Sequence, residues 1–182
     1  MSGLVSIALL AAMTAGPPAV RVPRRLHPTV STPRPQAANF TLNVSPATIT
    51  FTTTNNPSAT PLVAASQPAT LTWTANSFLD NNNWTLTVQA GAASFASCPG
   101  VPVSAVTVTC TAASLTGLGG SAKCSGAFPL STTPQQIAGG AIGIFTYNYS
   151  VTVNFTLADS WKYIAEQNPA CSLSLNYVAN VP

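Results

Sequence analysis

Residues 145–157 read Phe-Thr-Tyr-Asn-Tyr-Ser-Val-Thr-Val-Asn-Phe-Thr-Leu. Every odd position, from Phe145 to Leu157, is aromatic or aliphatic, and every even position is Thr, Asn or Ser. Successive side chains of a β-strand point to opposite faces, so this stretch predicts a long strand with one face in a core and the other in water. Beyond a loop containing Asn168-Pro169, Cys171, Leu173, Leu175, Tyr177, Ala179 and Val181 repeat the same two-residue period. The first of these strands is longer than is usual in a globular sheet, which predicts a bulge or bend within it.

The same period extends towards the N-terminus. Phe40, Leu42 and Val44 alternate with Thr41 and Asn43, and Ile49 and Phe51 are separated by threonine. Leu71, Trp73 and Ala75 follow, and then Trp84, Leu86, Val88 and Ala90 lie opposite Thr85, Thr87 and Gln89. Val103 to Cys110 is a further strand-like run. Between these runs stand turn formers: residues 55–58, Ser66-Gln67-Pro68, Asp80 to Asn83, Pro99-Gly100, Gly117 to Gly120 and Gly139-Gly140. Helical period is confined to a single turn near Ser160 to Gln167. The chain is therefore expected to be all-β, an antiparallel two-sheet sandwich of about eight strands over residues 39–182. A domain of that length can bury a substantial core.

Only 5% of the 182 residues are charged, against 46% hydrophobic, and mean hydropathy is +0.31. Ordinary soluble domains carry about 25% charged residues. Arg21, Arg24, Arg25 and Arg34 all precede residue 37, after which Lys123 and Lys162 face Asp80, Asp159 and Glu166, a net of −1. Nucleic acid is thereby excluded as a partner of the folded part, because phosphate binding needs clustered cations. His27, the one histidine, lies before the domain, so triads and His-based metal sites have no histidine to use. No cofactor, no metal and no enzymatic activity are expected. Thr, Ser and Asn must cover the solvent faces, and a surface so nearly neutral resists self-association poorly.

Leu4 to Met13 is an apolar run with small residues after it, so residues 1–16 are expected as an export signal, although the arginines follow the run instead of preceding it. About 20 apolar residues are needed to span a bilayer, so no transmembrane helix is expected. Residues 17–38 read as a disordered linker containing Pro and Arg. Cys98, Cys110, Cys124 and Cys171 lack any CxxC spacing, which favours two disulfides in an oxidising compartment over a metal or redox motif. A strand between Cys98 and Cys110 holds them too far apart to bond. We expect Cys110 with Cys124 and Cys98 with Cys171.

Trp84-Thr85-Leu86 follows the polar run Asp80 to Asn83, and Phe155-Thr156-Leu157-Ala158-Asp159 ends the long strand. Together they resemble the two motifs of bacterial WxL-type cell-surface domains, with Phe155 in place of the second tryptophan. The resemblance loosely spans residues 39 to 159 and implies an exported β-rich domain that associates non-covalently with the cell wall, its motif core being Trp84, Leu86, Phe155 and Leu157. Trp161-Lys162-Tyr163, in the loop between the two clearest strands, is the candidate ligand-binding site, since loop-borne aromatic rings can stack on sugars; the alternative is that Trp161 plugs the end of the sandwich. Asp80 to Asn83 departs from a calcium-loop pattern at Trp84 and reads as a solvated turn. Sequons at Asn39, Asn43, Asn83, Asn148 and Asn154 are too near chance frequency to imply glycosylation.

The sequence therefore predicts a secreted or cell-surface domain that binds cell wall or other polysaccharide. Its competitor is a pilin-like or filament subunit that self-associates through edge strands.

Overall fold

A computed structural model describes residues 41–54, 56–77, 82–166 and 170–181, all within one compact unit, Pro35–Pro182. The expected export signal and linker, and Asp80, lie outside the described residues. The described residues form eleven strands: β1 (Asn43–Ser45), β2 (Thr48–Phe51), β3 (Leu62–Ala64), β4 (Ala69–Ser77), β5 (Asn83–Ala90), β6 (Val106–Leu118), β7 (Lys123–Cys124), β8 (Phe128–Pro129), β9 (Gln135–Ala141), β10 (Ile144–Ala158) and β11 (Cys171–Asn180). Two short 3-10 turns, Val103–Ala105 and Trp161–Glu166, are the helical segments among them. Neither is long or apolar enough to cross a membrane.

The strands form two antiparallel sheets. In the first, the order is β1-β4-β10-β6-β8, with β3 extending the row of β4 along the far end of β10; in the second it is β2-β11-β5-β9-β7. β10 is the axis of the first sheet. It pairs with β4 from Phe145↔Ser77 to Val153↔Ala69 and with β3 over residues 156–158 on one side, and with β6 along nearly its whole length on the other.

Such a long strand must shed accumulated twist, and it does so at two register shifts against β6. At one, Thr152 faces Ala112 while Val153 faces Cys110, leaving Thr111 as the extra residue. The other lies between Ile144 and Asn148 and includes Phe145, whose φ of 69° is left-handed.

The two-residue period sets which side chains are buried. Tyr147, Tyr149, Val151, Val153, Phe155 and Leu157 of β10 are all buried, as are Leu71 and Trp73 of β4 and Trp84, Leu86 and Val88 of β5. Across the gap, Trp73 and Trp84 meet edge to face with centroids 5.2 Å apart, Trp73 stacks on Tyr149 at 4.8 Å, and Trp84 lies 4.8 Å from Tyr149. Both motif segments of the WxL resemblance are thus core: Trp84, Leu86, Phe155 and Leu157 are each 0–1% exposed.

Three details depart from the sequence reading. Eleven strands replace about eight because β3, β7 and β8 contain only two or three residues each, too few to show a period. The strand expected from Val103 starts at Val106, the first three residues forming a 3-10 turn. Gly139-Gly140, expected as a turn, lies inside β9 opposite Thr85 and Trp84. A side chain at Gly140 would run into the Ser121 carbonyl, which accepts a hydrogen bond from the Trp84 indole at 2.9 Å. Glycine here permits close backbone approach within a strand.

Cys98 bonds to Cys171 and Cys110 to Cys124, with Cα separations of 5.4 and 5.3 Å. The first bond is fully buried, tying the loop after β5 to β11. The second joins β6 of one sheet to β7 of the other and leaves Cys124 exposed. Thiol reagents reach a disulfide only where its sulfur is accessible. Under mild reductant, alkylation followed by mass spectrometry should label Cys110 and Cys124 well before Cys98 and Cys171; simultaneous labelling of all four would contradict this assignment.

Candidate functional site

From Tyr147 onward the odd residues of β10 point inward and its even residues line the outer face of the first sheet, whereas Phe145, expected on the core face, is 56% exposed where its left-handed backbone breaks the alternation. Pairing registers extend that face sideways: Asn43, Thr72, Ser150 and Ser114 form one row across β1, β4, β10 and β6, and Thr74, Asn148 and Thr116 form the next. Neighbours in a row stand about 4.8 Å apart and successive rows about 6.6–6.8 Å apart. The two rows line a shallow cleft of about 310 Å³. Inside it Thr74 donates a hydrogen bond to Asn148 Oδ1 at 2.6 Å, and Ser114 donates to the Ser150 carbonyl at 3.4 Å. Thr72, Thr116 and Asn148 are all exposed in this cleft.

Further along the same face, where β3 takes over from β4, a second cleft of about 270 Å³ is lined by Ser66, Gln67, Asn154 and Thr156 with Ala64 and Pro68. Asn148 and Thr156 are eight residues apart, about 26 Å on an extended strand. The two clefts therefore follow one line along β10, and no charged side chain lines either.

Just beyond the end of β10, Asp159 organises the adjoining loop. Its carboxylate accepts hydrogen bonds from the Thr54 backbone N–H at 2.8 Å, the Thr54 hydroxyl at 3.1 Å and the Ser160 N–H at 2.8 Å, while its own N–H donates to the Pro61 carbonyl at 2.9 Å. This carboxylate is fastened to backbone donors, a structural role. The Trp161–Glu166 turn starts from this anchor.

Trp161, Lys162 and Tyr163 do not act as one surface. Trp161 is 57% exposed, and its indole N–H donates to Ser58 Oγ at 3.1 Å. Lys162 is exposed beside it. Tyr163 is 9% exposed and packs with the core, because the next position of a tight turn faces back to the protein. The expected aromatic pair is a single exposed tryptophan and a buried tyrosine.

The residues along β10 were visible in the sequence only as the polar half of an alternating strand. Nothing local distinguishes an even-numbered Asn148 or Asn154 that lines a cleft from one that merely meets water. Cleft formation depends on sheet curvature and on the break between β3 and β4. Burial raises the phenol pKa of Tyr149, with the neighbouring Tyr147 adding to the rise and the Gly143 backbone opposing it; burial alone raises that of Tyr177.

No protein-family model, no curated protein and no solved structure gives a significant match to this chain.

Of the three tryptophans, Trp73 and Trp84 are 2% and 0% exposed, so acrylamide quenching of native fluorescence should report almost solely on Trp161 and vanish in Trp161→Phe. Quenching that persists in that variant would place another indole in solvent. Asp159→Ala should cost about 1–3 kcal/mol in urea unfolding, the range for losing hydrogen bonds to a charged group.

Proposed function

We propose that this protein is an exported, non-enzymatic surface domain that binds an extended, neutral polysaccharide, such as a cell-wall glycan, along the outer face of β10. The observation that carries the proposal is the line of two clefts furnished by Thr, Ser, Asn and Gln without a single charge. A glycan presents hydroxyl groups that both donate and accept. Thr and Ser hydroxyls do the same, and an Asn amide offers two donors and an acceptor. Desolvating neutral polar groups costs far less than desolvating ions, provided the hydrogen bonds are remade with the ligand. A polymer lying along the strand meets such groups at regular intervals, so many weak contacts accumulate.

Trp161 supplies what those clefts lack, a large apolar face. Its indole N–H is already hydrogen-bonded to Ser58, which lowers the ordering cost on binding, and it can cover the apolar face of one sugar ring. Two disulfides and an apolar N-terminal run support export, and the WxL resemblance points to a wall as the site of attachment.

The test is retention on insoluble neutral polysaccharides and on purified peptidoglycan. Trp161→Ala should weaken binding about tenfold, equivalent to about 1.4 kcal/mol, and Asn148→Ala should weaken it less. Because no cleft residue is charged, affinity should hardly change between low and high salt. A folded protein that stays in the supernatant with every polymer would refute the proposal, and strong salt dependence would replace it with an acidic ligand held by lysine.

A further inference from the structure

The second sheet has an unfinished edge. In β11 the even residues direct their backbone groups towards β5: Ser174 accepts from the Gly91 N–H at 3.1 Å, the Ser172 N–H donates to Ser97 Oγ at 2.9 Å, and the Val178 carbonyl accepts from Thr87 Oγ1 at 3.3 Å. The odd residues must therefore direct theirs to the opposite edge. Cys171 and Leu173 meet β2 there, facing Phe51 and Ile49, and β2 begins at Thr48, opposite Ser174. From Leu175 onward, no described strand pairs with that edge. By the same alternation, the main-chain groups of Leu175, Tyr177 and Ala179 point to that edge, where no strand among the described residues meets them.

A groove borders this edge. Leu175 and Tyr177 form one wall of a groove of about 340 Å³ whose other wall is Leu42, Val44 and Ala47 at the edge of the first sheet. The side chains of Leu175, Tyr177 and Ala179 are only half-buried, and the buried Tyr177 hydroxyl has no hydrogen-bond partner among the described residues. On the outer face of the same strand Val178 is 57% exposed. Sheet edges are normally protected from pairing by charged side chains, proline or a bulge. Segments 41–51 and 170–181 contain no charged residue, and β11 contains no proline.

We propose that this edge pairs with the same edge of a second copy, giving a two-fold symmetric dimer in which the second sheets become one continuous sheet. An edge with unpaired donors and acceptors, no charge and one exposed valine is complementary to itself in antiparallel orientation. β2 excludes one register and the exposed valine selects among the rest. Centring the axis on Tyr177 would bring the partner's Val181 against Leu173, a position that Ile49 already occupies. Centring it on Val178 pairs Tyr177 with the partner's Ala179 and Asn176 with the partner's Asn180, leaves Leu173 to β2, and is the register that covers the exposed Val178. Val178 then faces the partner's Val178 as a non-hydrogen-bonded pair, with Cα atoms about 4.5 Å apart, and each covers the other's exposed side chain.

The full chain should sediment as a dimer, twice its 18.6 kDa mass, in reversible equilibrium with monomer. Val178→Lys sets two like charges opposite one another at an exposed position and should abolish the dimer while leaving a folded monomer whose unfolding midpoint no longer depends on protein concentration. Ala179→Pro removes an N–H that serves only the open edge and should do the same. Val178→Cys should form a disulfide-linked dimer on mild oxidation, since the pair falls within disulfide range. Asn176→Cys should not, because its symmetry mate lies about 13 Å away along the strand.

A monomer across the concentration series overturns the proposal, as does a dimer that survives Val178→Lys, or equal cross-linking of the two cysteine variants. A monomer whose Leu175, Tyr177 and Ala179 amides are protected from hydrogen exchange also overturns it, and gives the edge to another segment of the same chain.

Discussion

Three rings hold the two sheets at their spacing. Trp73 of β4 and Tyr149 of β10 stack with planes 18° apart, and Trp84 from β5 of the opposite sheet closes on both at 5.2 and 4.8 Å. Facing sheets pack about 10 Å apart, and large rings from both sides fill that gap with contacts worth about 0.5–1.5 kcal/mol per pair beyond their buried area. The rest of the core is arranged around this triangle. Trp84 fits only because β9 offers glycine at positions 139 and 140 beside it, allowing the Ser121 carbonyl to come close and accept its N–H. The Trp73 N–H has no such partner among the described residues, a cost of about 1–3 kcal/mol for a buried donor that the packing of the same ring offsets.

With the interior filled by aromatic and aliphatic residues, the near absence of charge becomes a property of the exterior. Thr, Ser and Asn on β4, β6 and β10 make a hydrated surface whose groups are neutral and bidirectional in hydrogen bonding. One of the few charges from residue 37 onward, Asp159, is placed where a carboxylate does structural work, collecting the N–H groups of Thr54 and Ser160 at the end of β10. The consequence is an outer face on the first sheet whose two clefts carry no charged side chain. The β11 edge lacks the charged side chains that commonly keep sheet edges apart, whereas β7, at the other edge of the same sheet, carries the exposed Lys123.

How much of this was legible followed from the length over which a pattern repeats. β10 and β11 announce themselves through alternation sustained over ten or more residues, and β4 and β5 through shorter runs that include tryptophan. The irregularity in β10 between Ile144 and Asn148 was legible because a straight strand of that length strains against sheet twist. β7 and β8, two residues each, have no period to read. Gly139-Gly140 misled because glycine marks both turns and tight strand contacts, and only the position of Trp84 separates the two. Trp161 was recognisable as a loop aromatic, whereas the burial of Tyr163 depends on the 3-10 geometry of its turn. The clefts along β10 and the vacant edge of β11 arise from register, which no single strand encodes.

The two proposed surfaces lie on different sheets, and this bears on how the protein would work. Pairing through β11 uses an edge of the second sheet and leaves the outer face of the first, with both its clefts, open to a polymer. A dimer would therefore present two equivalent tracks. A polysaccharide is a repeating ligand, so once one track is occupied the second meets a high effective concentration of further sites on the same or an adjacent chain. Linking two modest sites in this way can raise overall avidity by about 10²–10⁴ without any new contact. A neutral face built from weak hydrogen bonds needs such reinforcement more than a charged one does, because each subsite alone contributes little. The scarcity of charge would thus serve both surfaces, favouring an uncharged ligand on one sheet and permitting self-pairing on the other.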